Sequence, residues 1–268
     1  MAEIYAPEVA LNSIPDDLTV PQFFLDSSHP LKPANNTVKP WMIDDATGRQ
    51  VGFEEIGPSC YANPAYTADE LLHQITLTQS SLLVTHSSSL SVALSAAKTA
   101  GISPDRVIII DSLEQAGSSV HVTVDELVAA GLAKQPMFVE KRLKPGEAKR
   151  KVALLCFSSG TTGKPKAVEV PHYAMVANVI QVALAIGSAP RYVPGDVALG
   201  GLTETFTAVA LSSNDQKIAT PASAGVLIPG IVARVVKPDG TLAKLGEPGE
   251  LLVRGPSMAL GYYKNPEA

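Results

Sequence analysis

The stretch from Lys151 to Ile186 constrains the architecture of this chain more than any other. Residues 151–157 read KVALLCF, a short apolar run with the length and composition of a buried strand. Residues 158–166 then read SSGTTGKPK, and from His172 to about Ile186 apolar residues recur with a helical period. A loop of small hydroxyl residues, two glycines and two lysines therefore leaves the end of a strand ahead of a helix. Gly160 and Gly163 let the backbone approach a ligand closely and take φ > 0 without steric cost. Ser158, Ser159, Thr161 and Thr162 supply hydroxyls, and Lys164 and Lys166 supply positive charge. Together with bare N–H groups, this is the chemistry needed to hold a polyphosphate. A Walker loop is excluded. Gly160 and Gly163 are only three apart, and Pro165 after Lys164 blocks immediate helix entry.

The surrounding chain alternates strand and helix patterns. Residues 68–78 read as a helix capped by Thr67, 81–85 as a strand, and 89–100 as a helix ended by Gly101. Residues 106–111 form a β-branched strand, and Thr123 caps a short helix over 124–130 ended by Gly131. Such alternation predicts parallel strands covered by helices. Beyond Ala222 the pattern changes to short runs, 225–230, 232–236 and 250–253, with a turn at 237–240. The expected fold class is α/β, with parallel-sheet layers, covering helices and a short C-terminal antiparallel β region. The charged segment 136–149, with Pro145-Gly146, reads as a linker.

Composition excludes several classes. A net charge of −5 over 268 residues argues against a nucleic-acid footprint, which would be basic and clustered. No apolar run approaches the roughly 18 residues that span a bilayer, and the first residues carry Glu3 and Glu8 with no basic region. Cys60 and Cys156 give no disulfide framework, and Cys156 reads as a small core residue. None of His29, His73, His86, His121 and His172 is paired with Cys, Asp or Glu in a convincing metal-ligand pattern, so a structural metal is not expected. His172 reads as a surface or capping residue, with a nucleotide contact as the alternative.

The string SSGTTGKPK closely resembles the signature loop of the adenylate-forming (acyl-CoA synthetase, AMP-binding) superfamily. Ala167 stands where the family usually has glycine. Residues 201–205 (GLTET) resemble the family's second nucleotide motif, and residues 249–255 (GELLVRG), running on to Tyr262 and Tyr263, resemble a third, mainly structural element. Residues 63–67 (NPAYT), the opening 26–41 and residues 44–49 resemble the 4-coumarate–CoA ligase branch, fungal members included. The resemblance implies ATP-dependent ligation of a small-molecule carboxylic acid to coenzyme A through an acyl-adenylate. It implies that Ser158, Ser159, Gly160, Thr161, Thr162, Gly163, Lys164 and Lys166 bind the nucleotide phosphates. Lys166 would neutralise pyrophosphate, Thr203 would contact the α-phosphate, and Glu204 would hold magnesium, a cation that favours oxygen ligands.

Three breaks interrupt the resemblance: near residue 56, near 197–201, and at the C-terminus. Gly200 stands where an aromatic residue usually stacks on adenine, and the segment expected to build the acyl pocket is missing. The expected domains are an incomplete AMP-binding domain over 1–221 and a β-rich continuation over 222–268, with no small C-terminal domain. Two functional readings stay open: an acid–CoA ligase whose shortened chain is impaired, and a non-catalytic nucleotide-binding remnant or pseudoenzyme from a shortened transcript or gene model. The expected location is cytoplasmic. A peroxisomal location is open to full-length relatives, but this chain ends without a Ser-Lys-Leu address.

Overall fold

The computed structural model describes residues 3–11, 13–32, 42–43, 50–51, 62, 65–110, 121–133, 142–158, 165–187, 200–212 and 224–267. The chain divides into two compact units, Tyr61–Lys141 and the combination of Met1–Cys60 with Arg142–Ala268. It is a mixed α/β protein, as the alternation predicts.

In the first of these units, helix α2 (Ala68–Thr78) is set by a reciprocal cap. The Glu70 N–H donates to the Thr67 hydroxyl, and the Thr67 N–H donates to the Glu70 carboxylate at 2.8 Å. Two donors orphaned at the helix start are satisfied together, and the Thr67 N–H and hydroxyl, both donating to the Glu70 carboxylate, hold it below its ordinary range. Strands β4 (Leu83–Thr85) and β5 (Val107–Ile109) pair in parallel, Leu83 opposite Val107. Between them runs helix α3 (Leu90–Ala100), which Gly101 ends with φ 76°. Ala93, Ala97 and Val107 form the buried centre, with Leu71, Leu83 and Leu94 packed round it. Helix α4 (Val124–Leu132) starts on the expected Thr123 cap but runs through Gly131 rather than ending there. A glycine stops a helix only when it turns left-handed, and Gly131 is not among the residues of positive φ.

The larger unit is built on antiparallel pairs. Strands β1 (Ile4–Tyr5), β11 (Val232–Val236) and β12 (Glu250–Arg254) form one sheet in the order β1-β11-β12. The short pair β2 (Met42–Ile43) and β3 (Gln50–Val51) forms another. Strands β8 (Gly200–Leu202), β9 (Thr207–Leu211) and β10 (Val226–Leu227) form a third, ordered β10-β9-β8. The run 151–157 becomes strand β6 (Val152–Ser158), paired antiparallel with β7 (Lys166–Pro171). Among the described strands, the parallel pair is β4 with β5, and a parallel bridge between Ile109 and Thr123 continues it.

Helix α5 (His172–Gly187) begins where β7 ends and carries the core. Its Val176 and Ile180 are fully buried with Phe23 of helix α1 (Val20–Leu25). Two polar side chains on α5 fix its placement. Asn178 Nδ2 donates to the Ala208 carbonyl at 2.9 Å, and Gln181 Nε2 donates to the Pro229 carbonyl at 2.7 Å. A buried amide left unmatched costs about 1–3 kcal/mol, so sliding α5 along either partner is disfavoured.

His172 has a structural role in this arrangement. Its Nδ1 accepts the Val20 N–H at 3.1 Å, joining the start of α5 to the start of α1. Burial, helped by the nearby Lys151 charge, holds its pKa below the ordinary 6.5. The neutral ring is therefore the native form, and protonation removes the acceptor. Above pH 6.5 the ring is neutral in both folded and unfolded chains. As pH falls through that value, the unfolded chain takes up the proton first, so stability is lost. Urea unfolding between pH 8 and pH 5 is expected to show this loss, and His172→Gln is expected to flatten the slope. An unchanged slope in the variant would remove His172 as its source.

Candidate functional site

Pairing of β6 with β7 sets the frame of the site. Ser158, the last residue of β6, lies opposite Lys166, the first of β7. The signature loop is thus the connection between two adjacent antiparallel strands. Ser159, Gly160, Thr161, Thr162, Gly163 and Lys164 lie outside the described residues, whereas Ser158, Lys166, Thr203 and Glu204 are described.

The second motif forms a single 3₁₀ turn, Thr203–Thr205. The Thr203 carbonyl accepts the Phe206 N–H at 3.1 Å, and the buried Thr205 hydroxyl donates to the Leu202 carbonyl at 3.0 Å. Directly after it the backbone turns left-handed, with φ 48° at Phe206 and 86° at Thr207. For a β-branched residue this is an unfavourable conformation, and such conformations persist only where the surroundings over-determine them. Here Asn178 does so. Its Oδ1 accepts both the Thr207 hydroxyl at 3.0 Å and the Ala208 N–H at 3.4 Å. The position of Glu204 is therefore held from the α5 side.

It is held from the other side by the C-terminal segment. Leu260 N–H donates to the Glu169 carbonyl, Glu169 N–H to the Gly261 carbonyl, and Tyr263 N–H to the Ala167 carbonyl at 2.7 Å. Residues 260–263 so extend the β6–β7 pair by a further strand-like edge. The Ala259 N–H donates to the Glu204 backbone carbonyl at 2.8 Å. Tyr262, at the centre of this edge, donates its hydroxyl to Glu204 Oε1 at 2.9 Å. The Lys166 ammonium stands over the same ring, 4.8 Å from its centroid. Accepting by Glu204, then burial, then the Glu204 charge hold the Tyr262 phenol above its ordinary pKa.

Two of the sequence-assigned residues, Lys166 and Glu204, are brought together, and Tyr262 is what joins them. Sequence reasoning placed Tyr262 in a structural element and gave it no part in the site; the motif that contains it was the available signal. Thr203 sits one residue from Glu204 on the same turn, and Ser158 lies across from Lys166. A cation and a carboxylate separated by one ring can engage an anionic ligand and a hard metal ion at once. Beside the turn, an open groove of about 530 Å³ runs along α5, with Val182, Ile186 and Phe206 among its walls.

Comparison with known proteins gives a consistent picture. The sequence profile of the family described as AMP-binding enzyme matches residues 58–200 and 188–263. The acyl-CoA ligase AFT1-1 of Alternaria alternata is 24% identical over 310 residues, covering 77% of this chain and 53% of that protein. The acyl-CoA ligase azaF of Aspergillus niger is 34% identical over 116 residues, 43% of this chain and 21% of that protein. The chain spans about half the length of the first of these curated relatives. The Alternaria alignment occupies 310 positions but draws on 77% of a 268-residue chain, about 206 residues, so about 100 positions within it have no counterpart here. The luciferase-like enzyme of Zophobas morio shares the fold, with a TM-score of 0.65 at 15% identity over 99% of this chain and 92% of that chain.

Proposed function

This chain belongs to the AMP-binding enzyme family, and on that premise we propose that it retains the magnesium-ATP end of an acyl-CoA ligase site while its turnover is impaired. The single observation that carries this reading is the convergence of Lys166 and Glu204 on Tyr262. Lys166 meets phosphate oxygens and stabilises the leaving pyrophosphate, with Ser158, Ser159, Gly160, Thr161, Thr162, Gly163 and Lys164 as the rest of the phosphate loop. Thr203 contacts the α-phosphate. Glu204 is the magnesium ligand, and the fit to that ion is chemical. Among the described residues no three metal-binding side chains cluster, and magnesium characteristically binds through one or two carboxylates, waters and substrate phosphates. When bound, magnesium supplies charge neutralisation across the phosphates.

A carboxylate oxygen attacks the α-phosphorus of ATP, forming an acyl–O–P bond as the bond to pyrophosphate breaks. The thiol of coenzyme A, giving up its proton, then attacks the acyl carbonyl carbon and AMP leaves. Impairment is supported by the roughly 100 positions of the Alternaria protein that lack a counterpart, because orienting the attacking carboxylate is a large share of catalysis. In this reading residues 1–221 are an incomplete AMP-binding domain and residues 222–268 its β-rich continuation. The branch is 4-coumarate–CoA ligase-like, supported by residues 63–67, and the acid is an aromatic propenoic or a fatty acid. A chain that binds nucleotide without turning it over is the second reading, favoured by the same missing positions.

Thermal unfolding with and without magnesium-ATP tests this directly. At a hundredfold excess over Kd, a ligand that binds only the folded state stabilises it by about 2.7 kcal/mol. That corresponds to a rise of roughly 5–11 °C in Tm for a protein of this size. Lys166→Ala is expected to abolish most of the rise while leaving the ligand-free Tm near that of the natural chain. Carboxylate-dependent exchange of pyrophosphate into ATP then separates the ligase from the nucleotide binder. Absence of any rise in the natural chain would remove both.

A further inference from the structure

We infer that Tyr262 is a positioning residue for the magnesium-ATP end of the site: its ring keeps Lys166 and Glu204 apart, and its hydroxyl aims the Glu204 carboxylate. The inference rests on the roles proposed above for those two residues and adds one that lies outside both nucleotide motifs, in the third element. Three observations carry it. Tyr262 touches both side chains, one through its hydroxyl at 2.9 Å and the other through its face at 4.8 Å. Its backbone is pinned beside β7, where Val168 lies opposite it and Glu169 and Ala167 bond its neighbours. The same segment holds the Glu204 backbone through Ala259, so tyrosine and carboxylate are fixed to one another at two points.

The chemistry explains why a tyrosine serves at this position. A lysine and a glutamate on flexible stems, left side by side, form an ion pair, and each is then partly neutralised for any other partner. An aromatic face gives the ammonium an attractive seat without cancelling its charge. A phenol hydroxyl gives the carboxylate a neutral donor on one oxygen and fixes the plane in which the other is presented. Carboxylates that ligate metals are themselves hydrogen-bonded, and losing that partner typically costs about 10–100-fold in metal affinity. The competing account is a structural one, since Tyr262 also packs against the cluster of Leu154, Val168, Val170 and Ala174. A purely structural residue would alter Tm without altering how much magnesium the site requires.

The test uses four versions of the whole chain: natural, Tyr262→Phe, Glu204→Gln and the double variant. Magnesium is titrated at fixed ATP, and the readout is the magnesium concentration giving half of the ATP-dependent rise in Tm. Tyr262→Phe keeps the ring and removes only the hydroxyl; it is expected to raise that concentration about tenfold. In the Glu204→Gln background the same substitution is expected to add nothing. If Glu204→Gln shifts the requirement and Tyr262→Phe does not, the tyrosine has no positioning role, although the magnesium assignment stands. If neither shifts it, Glu204 is not the magnesium ligand and both assignments fail together. A natural chain with no ATP response overturns both as well, its ligand-free melting transition showing that the cause is not misfolding. Should Tyr262→Phe not fold, Tyr262→Leu takes its place, filling the same apolar cluster with no donor at Glu204 and the same expected shift.

Discussion

Gly201→Ala is expected to lower the stability of this protein by about 3 kcal/mol or more, the upper end of the overpacking range. Gly201 lies opposite Ala208 in the β8–β9 pair, beside an irregularity in its register. A methyl group there would be driven into the Thr207 carbonyl oxygen. That obstacle is backbone, so no rotamer change relieves it, and the two strands must separate. Thr207 is also the residue already held at φ 86° by Asn178, so the strand has little room to yield. The expected fall in Tm is roughly 6–12 °C for a protein of this size. Because the Thr203–Thr205 turn joins β8 to β9, the magnesium-ATP response is expected to fall with it. A variant that melts within a degree of the natural chain would show that β8 and β9 do not approach this closely.

The second large effect is expected at Phe23. Its side chain is fully buried, packed edge-on to Phe24 at 5.6 Å and against Val176 and Ile180 of α5. Phe→Ala in such a place removes the transfer free energy of the ring and leaves a cavity, at a cost of about 3–5 kcal/mol. Thermal unfolding of Phe23→Ala should show a fall of roughly 6–20 °C, and Phe23→Leu a smaller one. Equal effects from the two substitutions would mean that the loss arises from something other than the volume removed. The α1 helix contributes little by itself, being six residues long. Its value lies in what Phe23 buries.

Local features of the fold were legible, and non-local ones were not. The caps at Thr67 and Thr123 and the left-handed stop at Gly101 depend on residues within a few positions of one another, so the sequence displays them directly. Gly131 misled because glycine permits a helix end without compelling one. Strand β7 was hidden because it lies between a conspicuous loop and a conspicuous helix, and its pairing with β6 is antiparallel. The site divides in the same way. Lys166 and Glu204 were readable from motifs. The tyrosine between them is 58 residues from Glu204 along the chain, and the backbone bonds of residues 259–263 and its packing on the β6–β7 cluster bring it there. No periodicity in a single sequence encodes such a meeting.

The pairing of β1 with β11 has a consequence for biosynthesis. Ile4 lies opposite Ala233, and Tyr5 opposite Val232. At a translation rate of about 5–20 residues per second, the 229 positions between Ile4 and Ala233 take roughly 11–46 s to make. During that interval β1 has no partner, yet it is two residues long and offers little to a stray strand. The five-residue β11 is the exposed party, with an edge on either side. When it emerges, one edge meets β1, made long before it, and the other is closed by β12 within the next twenty residues. The order of synthesis thus leaves one edge of the longer strand open only while the residues up to β12 are made.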